Sequence, residues 1–265
     1  MRLGYLTHVA GGDPAGAYRR AVELAVAAED LGFDSFWLAQ HHGGIFGGLL
    51  PSPLVLLAAV AERTSTIRLG TAVIAASLED PLRLAEDAAV VDALSGGRLE
   101  LGVGAGADDA ASAAFGRDHT SRHTDCAAAV DELRRHLAGP ALVPAAPGLA
   151  QRLWWATGSA AGVDAAAVRG MGVITGRPTG AEADLAGYWT RAVGEPRVAA
   201  SRIVGVGESG TELLQRWRRD PVRDWATELV VQTLPADADL GTHLATLRIT
   251  SGAVLSTTDG RRPEE

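Results

Sequence analysis

PSPLVLLAAVAERTSTIRLGTAVIAASLEDPLRLAEDAAVVDALSGGRLELGVG, residues 51–104, decides the fold. Pro51 to Thr64 reads as an apolar helix with proline in its first turn. IRLGTAVI, residues 67–74, is a short apolar run and reads as a buried strand. Pro81 opens a second helix that runs to Ser95, and Gly96-Gly97 ends it. RLELGV, residues 98–103, is the next strand. Continuous apolar strands joined by helices form a parallel sheet buried on both faces.

The alternation continues in both directions. Toward the N-terminus, residues 33–39 and 2–7 read as strands, and residues 15–31 as a helix with Tyr18, Val22, Ala25 and Val26 at helical spacing. Toward the C-terminus, a loop of about 18 residues precedes a helix at 122–138, a connection long enough to suggest a functional role. Strands follow at 153–157, 172–176, 201–207 and 227–233, with helices at 160–169, 181–193, 209–218 and 240–254. Eight strand–helix pairs in this length predict closure into a (β/α)8 TIM barrel with an abbreviated second half. One barrel domain over 1–256 and a polar tail over 257–265 are expected.

Composition narrows the function. The 265 residues are 47% hydrophobic and 21% charged, which describes a globular chain. All 24 basic residues are arginine, and asparagine is also absent. A Schiff-base lysine, a P-loop lysine and an N-glycosylation site are therefore excluded. A net charge of −8 with no basic tract argues against nucleic acid as a ligand. Cys126, the one cysteine, leaves no intrachain disulfide and no cysteine-rich metal site. No membrane span and no leader peptide is read, so a soluble cytoplasmic protein is expected.

Five motifs are candidates for chemistry. Gly205, Gly207 and Gly210 match G-x-G-x-x-G, and Gly102, Gly104 and Ala107 match its looser form. Too little chain follows the first for a dinucleotide domain, and Asp108-Asp109 after the second would repel a pyrophosphate, so tight turns at strand ends are expected. His119 and His123 share a helix face, but no third ligand stands out and no metal is expected. Gln40-His41-His42 follows the second strand, at the end of a barrel that carries chemistry. The pair reads either as two loop histidines or, by strand alternation, as one facing the mouth and one turned away. Thr157-Gly158-Ser159 reads either as a serine N-cap or as a cradle for a phosphate.

Four blocks carry a family likeness: EDLGFDSFWLAQHH (29–42), PSPLVLLAAVAERTSTIRLGTAVI (51–74), DPLRLAEDAAVVDALSGGRLELGVGAG (80–106) and LWWATGSAAGVDAAAVRGMGVITGR (153–177). ASRIVGVGES (200–209) and TELVVQTLP (227–235) add to it. Together they resemble the luciferase-like flavin monooxygenases, and within them the FMN-dependent monooxygenase subgroup. The resemblance implies an enzyme in which reduced FMN, as co-substrate at the barrel mouth, reacts with O2 to oxidise a small organic substrate. It also implies a separate flavin reductase as partner, and it allows a homodimer. His41 matches the first histidine of the family's pair, which moves protons near the flavin. Ala72, Val73, Val103 and Gly104 would border the flavin, with a non-proline cis peptide at Ala72–Val73. Thr157, Gly158 and Ser159 would bind its phosphate.

Three departures accompany the likeness. Gln40 stands where the family has glutamate, so no carboxylate raises the pKa of His41. Ala105 replaces an arginine that grips the phosphate, a charge-assisted contact of about 1.5–3 kcal/mol, and Arg177 is the candidate to replace it. The segment from Arg177 to Ala200 is short. Related barrels hold the deazaflavin F420 at the same mouth and transfer hydride, which is the alternative cofactor and function. A flavin-binding barrel without catalysis is the third reading.

Overall fold

The computed structural model describes residues 1–44, 47–176 and 181–258. Strands and helices alternate: β1 (Arg2–Thr7), α1 (Pro14–Asp30), β2 (Ser35–Leu38), α2 (Pro53–Ala61), β3 (Arg68–Thr71), β4 (Ile74–Ala75), α3 (Pro81–Leu94), β5 (Leu99–Gly104), α4 (Asp109–Ala114) and α5 (Arg122–Ala138). Then come β6 (Leu153–Ala156), α6 (Ala160–Val168), β7 (Gly172–Thr175), α7 (Ala181–Arg191), β8 (Val198–Gly205), α8 (Gly210–Arg218), β9 (Glu228–Leu234) and α9 (Leu240–Thr258).

All neighbouring strands pair in parallel, in the order β3-β2-β1-β9-β8-β7-β6-β5-β4. β3 also pairs with β5, through Leu69–Leu99 and Gly70–Glu100, so the sheet closes. β3 and β4 share one position, interrupted at Ala72–Val73, whose peptide is cis. The result is the eight-position (β/α)8 barrel expected from the alternation. The continuous strand read at 67–74 is thus two pieces.

Other boundaries also differ. β8 begins at Val198, three residues before the expected start, where a single valine is followed by Ala199 and Ala200, fully buried residues that carry no strand-specific signal. The long loop after β5 contains α4, opened by Asp108, which accepts from Ala110 N at 3.0 Å. α9 extends to Thr258, so the expected boundary at 256 falls inside a helix.

Side chains that face outward from the strands pack under the helices in one large core. Those that face inward form a second cluster: Leu6, Trp37, Ala39, Trp154, Ile174, Ala199 and Val230. Trp37 and Trp154 meet edge to face, with centroids 5.6 Å apart. Glycines on adjoining strands make room for them. A Cβ on Gly70 would lie 2.1 Å from the Trp37 ring, and one on Gly172 2.3 Å from Trp154.

Each indole N–H reaches a buried glutamate. Trp154 donates to Glu100 at 2.6 Å, and Trp37 donates to Glu228 at 3.2 Å and to Ser35 at 2.6 Å. Arg68 and Arg197 pair with Glu100, and Arg2 with Glu228. Burial pushes the Glu228 carboxyl above its usual range. Tryptophans and ion pairs plug the N-terminal end of the barrel, so its interior opens toward the C-terminal end. No helix among the described residues is long and apolar enough to cross a membrane.

Candidate active site

β2 ends at Leu38, so Gln40, His41 and His42 lie in the following loop. Strand alternation therefore does not sort the two histidines, contrary to the expectation that one turns away. Both border a cavity of about 230 Å³ at the C-terminal ends of β2, β4 and β5, together with Ala72, Val73, Gly106 and Asp108.

Gln40 does not act on His41. Its amide oxygen accepts from Ala75 N at 2.8 Å, and its NH2 donates to Pro51 O and to Glu79 Oε1, each at 3.1 Å. This position needs a donor toward Glu79, which a carboxylate would instead repel. Gln40 thereby ties β4 to the loop before α2.

His41 is held by backbone and ring contacts. Its N–H donates to Leu50 O at 2.9 Å. Gly48 passes over the imidazole so closely that a Cβ would lie 2.2 Å from His41 Cδ2. His41 Nε2 lies 2.8 Å from His8 Nδ1, and the two rings are 5.1 Å apart between centroids. Burial, with the neighbouring His8 and His42, lowers its pKa to about 4. The ring is therefore neutral near pH 7 and able to accept a proton. His42 packs edge-on against Phe115 at 4.8 Å, and its Nε2 is buried with no hydrogen-bond partner.

The other candidate residues fall at three places. Ala72 and Val73 border the cavity of the histidines. Gly104 sits beside them, and a Cβ there would lie 3.0 Å from Val73 Cγ2. Val103 is fully buried in the layer between sheet and helices, so only its backbone is near the mouth. Thr157, Gly158 and Ser159 form the exposed turn before α6, where Ser159 caps the helix by accepting from Gly162 N at 3.3 Å. Arg177 lies outside the described residues. Ala105 packs against the outer core.

Of the two glycine-rich motifs, the one at 205–210 is a turn after β8, whereas Gly102 and Gly104 lie inside β5, contrary to the expected turn: a Cβ on Gly102 would meet Thr71 O of the neighbouring strand at 2.0 Å. Gly207 adopts φ +84°, and Ser209 and Glu212 form a capping box for α8. His119 Nδ1 lies 3.0 Å from Ser112 Oγ, and no cluster of three metal-ligating side chains occurs among the described residues.

His8 and Gln232 did not stand out in the sequence. They join His41 only through closure of the barrel, because β1 and β9 are neighbours in the sheet. Both also border a second, larger cavity of about 880 Å³, walled by Ala10, Gly11, Leu49, Leu234 and Pro235.

A family model described as luciferase-like monooxygenase matches residues 1–247. The chain belongs to the luciferase-like monooxygenase family. It is 36% identical over 132 residues to 4-hydroxyprotoasukamycin monooxygenase of Streptomyces nodosus subsp. asukaensis, covering 50% of this chain and 35% of that protein. It is 36% identical over 90 residues to the oxygenase component of the flavin-dependent trigonelline monooxygenase of Acinetobacter baylyi, covering 34% and 25%. The matched stretches thus span about a quarter to a third of these relatives' lengths. Among solved structures, the barrel resembles the oxygenating constituent of 3,6-diketocamphane monooxygenase from Pseudomonas putida in complex with FMN, with TM-score 0.73, 17% identity and coverage of 96% and 98%. It also resembles an F420-dependent secondary alcohol dehydrogenase, with TM-score 0.77, 14% identity and the same coverage. Both likenesses are of fold.

Proposed function

We propose that this family member is a flavin-dependent monooxygenase that uses reduced FMN and O2 to oxidise a small apolar or aromatic substrate. The observation that carries the reading is the smaller cavity, where a neutral, half-buried His41 and the unpaired Nε2 of His42 face the alanine and valine of the interrupted third strand. These residues fit a flat ring with polar edges. Small side chains leave a face open, and His42 Nε2 needs a partner that the protein does not supply. Reduced flavin, when bound, supplies the electrons for oxygen chemistry.

The chain's own residues do the rest. Ala72, Val73 and Gly104 border the ring site, while the α6 N-terminus and Ser159 hold the phosphate. His41 takes up and returns a proton. The larger cavity, with its small apolar walls, receives the substrate. The trigonelline relative is an oxygenase component, which favours a separate flavin reductase as partner.

F420-dependent hydride transfer is the second reading, favoured by the fold likeness to the alcohol dehydrogenase. Titration with FMN, reduced FMN and F420 decides between them, followed by absorbance near ~450 nm for flavin and ~420 nm for F420, bands that belong to the cofactor. NADH consumption with an added reductase should then rise with the true substrate. A chain that binds none of the three cofactors is not this enzyme.

A further inference from the structure

Four side chains at the mouth stand in one line: His41, His8, Gln232 and Ser201. His41 Nε2 and His8 Nδ1 are 2.8 Å apart, and His8 Nε2 and Gln232 Oε1 are 2.7 Å apart. Gln232 Nε2 donates to Ser201 Oγ at 3.0 Å. The residues come from the ends of β1 and β2 and from the adjacent β9 and β8.

The amide orientation of Gln232, with its oxygen toward His8 and its NH2 toward Ser201, sets the other links. An amide oxygen only accepts, so His8 must carry its proton on Nε2. Neutral His8 then presents Nδ1 as an acceptor, and His41 must donate from Nε2. We propose that His8 is a positioning residue for His41: anchored by Gln232, it fixes the Nε2–H tautomer of His41 and leaves Nδ1 as the basic nitrogen. The inference rests on the proposed role of His41, but the tautomer is a property of the chain without cofactor.

A second observation points to His8. Val9, the next residue, has φ +49°, a left-handed backbone that a β-branched side chain rarely adopts. Its neighbours keep it there: Val9 N donates to Thr7 Oγ1 at 3.2 Å, and Leu49 N donates to Val9 O at 3.0 Å. Strain of this kind persists where surrounding contacts hold it, often beside functional groups. Here it orients the loop that carries His8.

The line has a consequence for proton movement. A proton taken up at His41 Nδ1 lets the Nε2 proton pass to His8 Nδ1. His41 returns to neutral in its other tautomer, and the positive charge rests on His8, at the edge of the larger cavity. Reversal returns the proton. Burial of His41, which disfavours its charged form, drives this sharing.

The test is a long-range 1H–15N correlation spectrum of the full chain with 15N-labelled histidine, free of cofactor, near pH 7. His41 is assigned by its disappearance in His41→Gln. The expected pattern is a protonated Nε2 and an unprotonated Nδ1. Gln232→Leu, which removes the acceptor for His8 Nε2–H, should turn this into a mixture of tautomers. A wild-type His41 protonated at Nδ1 overturns the proposal, whatever the variants do. So does a folded Gln232→Leu protein with an unchanged His41 pattern. Failure of every cofactor titration would sink the monooxygenase reading and leave this result standing; the reverse outcome would do the opposite.

Discussion

At the residue scale, His41 stands in surroundings that keep its ring uncharged near pH 7. His41→Ala should lower substrate oxidation by roughly 10²–10⁴-fold, the range of a general acid–base group, with flavin affinity nearly intact. Full activity in that variant removes His41 from the mechanism. Its depressed pKa also links stability to pH. Between about 4 and the ordinary 6.5, the unfolded chain holds more protons at this site than the folded one. Stability is therefore retained above that window and lost as pH falls through it. Thermal melts should show His41→Gln losing less stability than wild type on going from pH 7 to pH 4.5; equal losses would mean that the ring is not desolvated. His41 was legible because it follows a strand and matches a family block. His8 was not, because an isolated histidine after a first strand has no pattern, and its partners in the loop after β2 and on β9 meet it only once the barrel closes.

At the scale of elements, the starts of α3 and α5 were legible, while the end of β2 was not. Asp80 and Pro81 announce α3, and Asp80 accepts from Leu82 N and Arg83 N at 3.0 Å each. A strand end carries no such cap. β2 stops at Leu38 because the chain turns away to reach the loop over His41, so alternation was extended too far. Gly48 in that loop supplies a test. Ala at this position would put a Cβ 2.2 Å from the imidazole, displacing His41 without removing it. Gly48→Ala should lower kcat while leaving flavin Kd within about twofold, since misplacement of a catalytic group by about 1 Å costs up to roughly 10²-fold. An unchanged kcat would show that the loop does not position the ring. The turn before α6 supplies another. Ser159→Ala should cost about 0.5–2 kcal/mol of stability through the lost cap. If the phosphate binds there, it should also weaken FMN more than riboflavin, as measured by fluorescence titration. Equal losses would place the phosphate elsewhere.

For the whole molecule, the number of strand–helix pairs was enough to imply closure, because eight such units in a chain of this length match one known solution. The layer that plugs the closed barrel was invisible in advance. Glu100 on β5 meets Arg68 on β3, Trp154 on β6 and Arg197 before β8, residues with no shared sequence spacing. That layer separates the molecule into a structural N-terminal end and the C-terminal end that carries the proposed site, and the separation can be measured. Glu100→Gln keeps the shape of the side chain but removes the charge opposing two arginines, and the Arg197 guanidinium is already stacked 4.6 Å over the Trp154 ring. Removing one partner of a buried ion pair costs about 3–5 kcal/mol, because the remaining charge stays buried. Urea unfolding of Glu100→Gln should show a loss of that size with an unchanged m-value. The folded variant, assayed without urea, should bind flavin as wild type does, since the plug lies at the end of the barrel opposite His41. If stability is unchanged, water or the neighbouring carboxylate Glu228 already compensates the arginines. If flavin affinity falls along with stability, the two ends of the barrel are coupled, and the plug is part of the site rather than its foundation.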